Sequence, residues 1–207
     1  MEHTGRDKWV GSVHGVIDAP LDTVWETACD ACGVANWMPM VESCQPVRGE
    51  PGLPGFVRVL KGTMFPHPSG EVSWMQQKLV VMDPFNHKYT YSMEDGNIGL
   101  TGYISTLQLF DFDEESTMAQ WEYQVDPVIG IKEEAVLDYL EFLYKTSFKR
   151  LEDITRQASG SHHSTAHLNP HSLLTLPGSS GNDLASPLIF DFDDEEDMQG
   201  LVHSSPS

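Results

Sequence analysis

The chain has 207 residues, long enough for one domain with a proper core and marginal for two. Its 31 acidic and 12 basic residues give a formal charge of −19, which repels nucleic acid and anionic membrane surfaces and argues against both as partners. No apolar run reaches membrane-spanning length and the first ten residues have no signal-peptide core. With only three cysteines, a reducing compartment is expected: the cytoplasm, with the nucleus open.

Lys8 to Ile17 alternates and is rich in valine, which predicts a first strand with Trp9, Val13 and Ile17 on one face. Asp18-Ala19-Pro20 breaks it, and Pro20 opens a short helix that buries Val24 and Trp25. A second short helix is expected around Val34 to Trp37, stopped by Pro39. Between them, Cys29-x-x-Cys32 has redox or zinc spacing. A structural zinc needs four ligands, and only Cys44 and scattered histidines remain to complete a set. The pair also lacks the strand-then-helix-start setting of a thioredoxin-like site. The cysteines are therefore read as helix-packing residues, and no metal and no cofactor is expected.

From Ser43 onward strands dominate. They are expected at Cys44–Arg48, Phe56–Lys61, Val72–Met82, Lys88–Met93, Gly99–Phe110 and Met118–Val125. Asp95-Gly96-Asn97 and Asp113-Glu114-Glu115 read as hairpin turns, and Asp83-Pro84-Phe85-Asn86 closes the long strand. Gly130 to Gln157 then reads as one long helix. Val136, Leu140, Leu143, Ser147, Leu151 and Ile154 form its stripe, widened by Tyr139, Tyr144 and Phe148. Acidic residues near its start and basic ones toward its end complement the helix dipole. At 1.5 Å per residue it runs about 40 Å and needs an apolar surface of similar length. The natural partner is one curved sheet, with a cavity between sheet and helix. The element order is that of an α+β domain over residues 1–157.

Residues 158–207 contain no Lys or Arg, five of the nine His and many Ser, Gly and Pro, and read as a disordered tail. The tail histidines are taken as incidental. Leu188, Ile189, Phe190 and Phe192, followed by acidic residues, are a candidate segment for a protein partner, adding a strand to that partner's sheet edge.

Strand alternation picks out the cavity face. Arg58 shares a side with Phe56 and Leu60; Gln77 shares one with Met75, Leu79 and Val81. Tyr91 lies with Tyr89 and Met93, and Trp121 and Tyr123 lie with Ala119 and Val125. An arginine buried unpaired costs several kcal/mol. Arg58 therefore has three options: a face open to solvent, a structural carboxylate, or a ligand.

Several stretches resemble the lachrymatory factor synthase family of plants. They are Lys8-Trp9-x-Gly11-x-Val13-His14, Val57-Arg58-x-x-Lys61-Gly62-x-Met64, and Trp74-x-x-x-Lys78-Leu79-Val80 with Asp83. Tyr89-x-Tyr91, Tyr103-x-x-Thr106 and Trp121 continue the match. That family belongs to the polyketide cyclase/dehydrase and lipid transport group of the Bet v 1-like, START-related superfamily. The resemblance covers about residues 8 to 157. It implies the helix-grip fold, a seven-stranded antiparallel sheet wrapped around the C-terminal helix and an apolar pocket. It also implies a proton-moving isomerisation that uses an arginine, a glutamate and tyrosines. The arginine carries over to Arg58 and the tyrosines to Tyr91 and Tyr103, but the glutamate position is Gln77 here. An amide does not take and return a proton as a carboxylate does. Nothing like the gate or latch of the related abscisic acid receptors is present.

The leading expectation is a pocket for a small, largely apolar molecule. Arg58, Gln77, Met75, Tyr91, Tyr103 and Trp121 would form its contacts. The alternatives are an isomerase or cyclase with Arg58, Tyr103 and Gln77 as its catalytic groups, and a ligand-sensing interaction protein acting through the acidic tail.

Overall fold

The computed structural model describes residues 7–64 and 71–161. The tail expectations, including Leu188, Ile189, Phe190 and Phe192, lie outside the described residues.

The chain opens with β1 (Trp9–Ile17), in which Val13 and Ile17 are buried while Val10 and Val16 face outward. Pro20 precedes α1 (Leu21–Ala28), which buries Val24, Trp25 and Ala28. A turn through Cys29–Gly33 leads to α2 (Val34–Trp37), which ends where Met38 turns extended ahead of Pro39. These two helices carry the chain from one edge of the sheet to the other. Six strands follow: β2 (Val41–Arg48), β3 (Val57–Gly62), β4 (Ser73–Asp83), β5 (Lys88–Gly96), β6 (Ile104–Asp113) and β7 (Ser116–Val125). The sheet is antiparallel in the order β1-β7-β6-β5-β4-β3-β2, so the first two strands in sequence form its two edges.

α3 (Glu133–Ser161) lies across the sheet and packs on β1 and α1. Val136, Tyr139, Leu140, Leu143, Tyr144, Ser147, Phe148 and Leu151 are buried, the face that the 3.6-residue period picks out. Each fully buried leucine on that face stabilises the fold by about 1.5–3 kcal/mol. Gly15 permits the closest approach, because a Cβ there would stand 2.7 Å from the Phe148 ring. Three hydrogen bonds made by tyrosine hydroxyls tether the helix. Tyr123 donates to the Leu137 carbonyl at 3.2 Å, Tyr139 donates to the Met64 carbonyl, and the Tyr103 and Tyr144 hydroxyls bond to each other. This is the helix-grip arrangement.

Four local expectations are corrected. The helix starts at Glu133 rather than Gly130, whose φ of +81° is left-handed, and it runs on to Ser161. The sixth strand starts at Ile104, because Gly99 and Gly102 have φ of +73° and +60° and shape a loop that delivers Tyr103. Asp95-Gly96-Asn97 is accordingly no tight hairpin: β5 runs through Gly96, and Asn97 ties the loop to Trp74, its Oδ1 accepting from that backbone N–H at 2.7 Å. Finally, Val81 does not share the inward face with Met75, Gln77 and Leu79. A register shift between Leu79 and Val81 breaks the alternation and leaves Val81 38% exposed.

Candidate functional site in the cavity between sheet and helix

Between the concave face of the sheet and α3 lies a small cavity of about 30 Å³. Arg58, Gln77, Met75, Tyr91, Tyr103 and Trp121, the six residues singled out from the sequence, all line it. So do Trp37 and Met38 of the α2 region, Met64, Tyr89, Leu100, Ser105, and Leu140, Leu143 and Tyr144 of α3.

Register explains how the polar residues meet. Arg58 and Gln77 are direct partners across β3 and β4, and such partners carry their side chains on the same face. Ser105 is the partner of Tyr91 on one side and of Tyr123 on the other. Leu107 and Trp121 pair one level further along.

Arg58 is 5% exposed and Gln77 is 6% exposed. The guanidinium donates from Nε and Nη2 to Gln77 Oε1, at 3.1 and 2.9 Å, and from Nη1 to the Ala31 carbonyl at 2.6 Å. Its carbon sits 3.9 Å from the centre of the Tyr91 ring, a cation–π contact worth about 2 kcal/mol once water is excluded. Among the described residues no carboxylate pairs with it. Arg58 is thus not exposed, and among the described residues its partners are neutral groups rather than a structural carboxylate. The bonds to both Nε and Nη2 also fix the Gln77 amide, with Oε1 toward Arg58 and Nε2 toward Met75 Sδ at 3.1 Å.

Burial dominates the titration of the surrounding tyrosines. It pushes the phenols of Tyr89, Tyr91, Tyr103 and Tyr139 above their ordinary range, and Arg58 only partly opposes this for Tyr89 and Tyr91. These groups stay protonated at neutral pH, able to donate hydrogen bonds but not to serve as phenolate bases. Trp121 stacks on Tyr144 with ring centres 4.1 Å apart. Among the described residues the cavity lining contains no Asp, Glu or His. The site can thus polarise an oxygen through Arg58 and the phenols, while no carboxylate stands ready to carry a proton.

The cysteines lie beside this wall. Cys29 and Cys32 pack partly buried against the core, and Cys44 donates to the Ala31 carbonyl at 3.8 Å. Burial raises the Cys29 thiol and takes Cys44 up to about 12, which suits packing groups rather than nucleophiles. Among the described residues no cluster is arranged to hold a metal ion, and no helix is long and apolar enough to cross a membrane.

Sequence reasoning missed Trp37, Ser105 and Tyr144 as cavity residues. Tyr144 was visible as part of the helix stripe, and Ser105 follows once Tyr91 is placed. Trp37 sits in a four-residue helix with no periodicity to orient it. A second, wider groove of about 610 Å³ lies over β1, β7 and β6, lined by Val10, Gly11, Ser12, Ile104, Thr106, Glu122, Tyr123 and Gln124. It gathers no buried charge and no unpartnered donor, so the internal cavity is the candidate site despite its smaller size.

Solved structures share this architecture. Protein XoxI of Bacillus cereus is 20% identical over 72% of this chain and 97% of its own, with a TM-score of 0.59. An uncharacterised protein of Bacillus thuringiensis is 20% identical over 71% of this chain and 98% of its own, also at 0.59. The ZhuI aromatase/cyclase of a Streptomyces species is 16% identical over 78% of this chain and all of its own, at 0.58. At such identities the likeness is one of fold. Residues 10–154 match the polyketide cyclase / dehydrase and lipid transport family, a span from β1 almost to the end of α3, and the chain belongs to that family.

Proposed function

We propose that this protein binds a small, largely apolar molecule between sheet and α3, with Arg58 fixing an oxygen-bearing end and Gln77, Tyr91 and Tyr103 completing the polar contacts. The observation that carries this reading is the buried Arg58, satisfied among the described residues by neutral acceptors and a ring face. A ligand larger than the present cavity is admitted by movement of Met38, Met64 and Met75, three flexible side chains on its wall. Titration with the fluorescent dye 8-anilinonaphthalene-1-sulfonate tests the placement. Arg58→Leu should weaken binding about tenfold or more. Unchanged affinity in a folded variant would remove Arg58 from the site.

A second reading is an isomerase or cyclase in which Arg58 and Tyr103 act without the carboxylate. It is favoured by the Tyr103–Tyr144 hydroxyl pair, a buried protonated donor lining the same cavity as Arg58. Supplying an alkenyl sulfenic acid generated in situ and assaying thial S-oxide tests it. Product from the wild type that is lost in Arg58→Leu supports catalysis. No product from the wild type, with some from Gln77→Glu, supports a pocket without that chemistry. The acidic tail as a docking segment is a separate proposal, tested by deleting residues 160–207: partner capture should vanish and dye binding should persist.

A further inference from the structure

We infer that the ligand of this cavity is an anion at neutral pH, a carboxylate or enolate on a compact apolar body, held by Arg58 together with the indole N–H groups of Trp37 and Trp121. The inference rests on the ligand-binding reading above and goes beyond it by assigning the ligand's charge and hydrogen-bonding character.

The cavity wall has a surplus of donors. Trp37 and Trp121 are 1% and 3% exposed, line the cavity, and leave their Nε1 atoms without an acceptor. Among the described residues these are the buried side-chain nitrogens and oxygens that lack a partner. The two rings are neighbours, with centres 6.0 Å apart. Gln77 Nε2 meets only the Met75 thioether, a weak acceptor. Arg58 has further N–H groups beyond the three that bond Gln77 and Ala31, since a guanidinium offers about five.

The carbonyl acceptors beside Arg58, by contrast, are already engaged. Gln77 Oε1 and the Ala31 carbonyl serve Arg58, and one of the Tyr103 and Tyr144 hydroxyls accepts from the other. A cationic ligand would meet Arg58 with no acid among the described lining residues to offset it. A polyol would bring donors to a wall already rich in them. A plain hydrocarbon would leave the guanidinium and both indoles as they are. A group with several acceptor atoms and a negative charge supplies what this wall lacks.

The test compares two probes with the same apolar body. One is 8-anilinonaphthalene-1-sulfonate, whose sulfonate stands in for the carboxylate; the other is neutral N-phenyl-1-naphthylamine. The wild type should bind the sulfonate about tenfold or more tightly than its neutral twin. Gln77→Glu keeps the side-chain shape and places a carboxylate on Arg58, so it should weaken the sulfonate more than the neutral probe and reduce that preference to about threefold or less. Trp121→Phe should weaken the sulfonate several-fold more than the neutral probe. Equal affinities in the wild type, or a preference that survives Gln77→Glu, would overturn the inference and leave the cavity reading standing; they would point to water satisfying the indoles or to the sulfonate binding elsewhere. Failure of both probes to bind would overturn the cavity reading and this inference with it.

Discussion

Two arginines on adjacent strands of one sheet are treated in opposite ways. Arg48, at the outer end of β2, pairs with Glu94 through Nη2 at 2.8 and 3.0 Å, and Gln76 and Lys78 join the same carboxylate. Its side chain is about half exposed, where such a pair contributes little. Arg58, buried under α3, has no carboxylate partner among the described residues and leans on Gln77, Ala31 and the Tyr91 ring. A chain with 31 acidic residues has thus placed one beside the arginine that needs it least, and a neutral amide beside the other. Stability alone does not favour that distribution, whereas a site kept open for an incoming acceptor does.

The contrast breaks most severely if the amide is removed. Gln77→Leu strands the guanidinium among apolar groups, and chemical unfolding should show a loss of about 3 kcal/mol. A loss below about 1 kcal/mol would mean Arg58 finds another partner and that Gln77 is dispensable.

Titration separates the two regions by sign. Burial holds the Tyr89 and Tyr103 phenols above the value near 10 expected of the unfolded chain. The stability they contribute is complete below about pH 10 and is lost as pH rises through the folded values, by up to about 1.4 kcal/mol per pH unit for each. The outer Glu94 behaves oppositely: Gln76, then Arg48, hold its carboxyl low, so its contribution is lost as pH falls through the folded value. Thermal melts across pH check both limbs, and Tyr103→Phe should flatten the alkaline one.

Gln77→Glu erases the contrast by giving Arg58 the pairing that Arg48 already has. The melting temperature should rise, by the equivalent of about 1 kcal/mol. Arg48→Ala should have the smallest effect, within about 1 kcal/mol and smaller still at high salt.

The fold was legible because its signals are long. The α3 stripe repeats over more than five turns, and the alternation in β3, β4 and β7 groups Arg58, Gln77 and Trp121 with apolar neighbours on faces that the structure buries. Errors arose where one residue changes the period. The shift after Leu79 turned Val81 outward, and the left-handed glycines Gly99 and Gly102 made a loop of what composition alone suggests is strand. Within the site, what could not be read was what closes it. Ala31 and Trp37 reach Arg58 and Trp121 only through the crossing of α1 and α2 from one sheet edge to the other, and no local pattern encodes that approach.

The most direct measurement is the nitrogen–proton NMR spectrum of the five tryptophan indoles and the arginine Nε–H groups during titration with 8-anilinonaphthalene-1-sulfonate. Saturable shifts of Arg58, Trp37 and Trp121 together, with Trp74 on the outer face unmoved, are the expected result. Shifts confined to the backbone amides of Val10, Ser12 and Glu122, with Arg58 and both inner indoles unchanged, would place binding in the outer groove and contradict a ligand site built around Arg58.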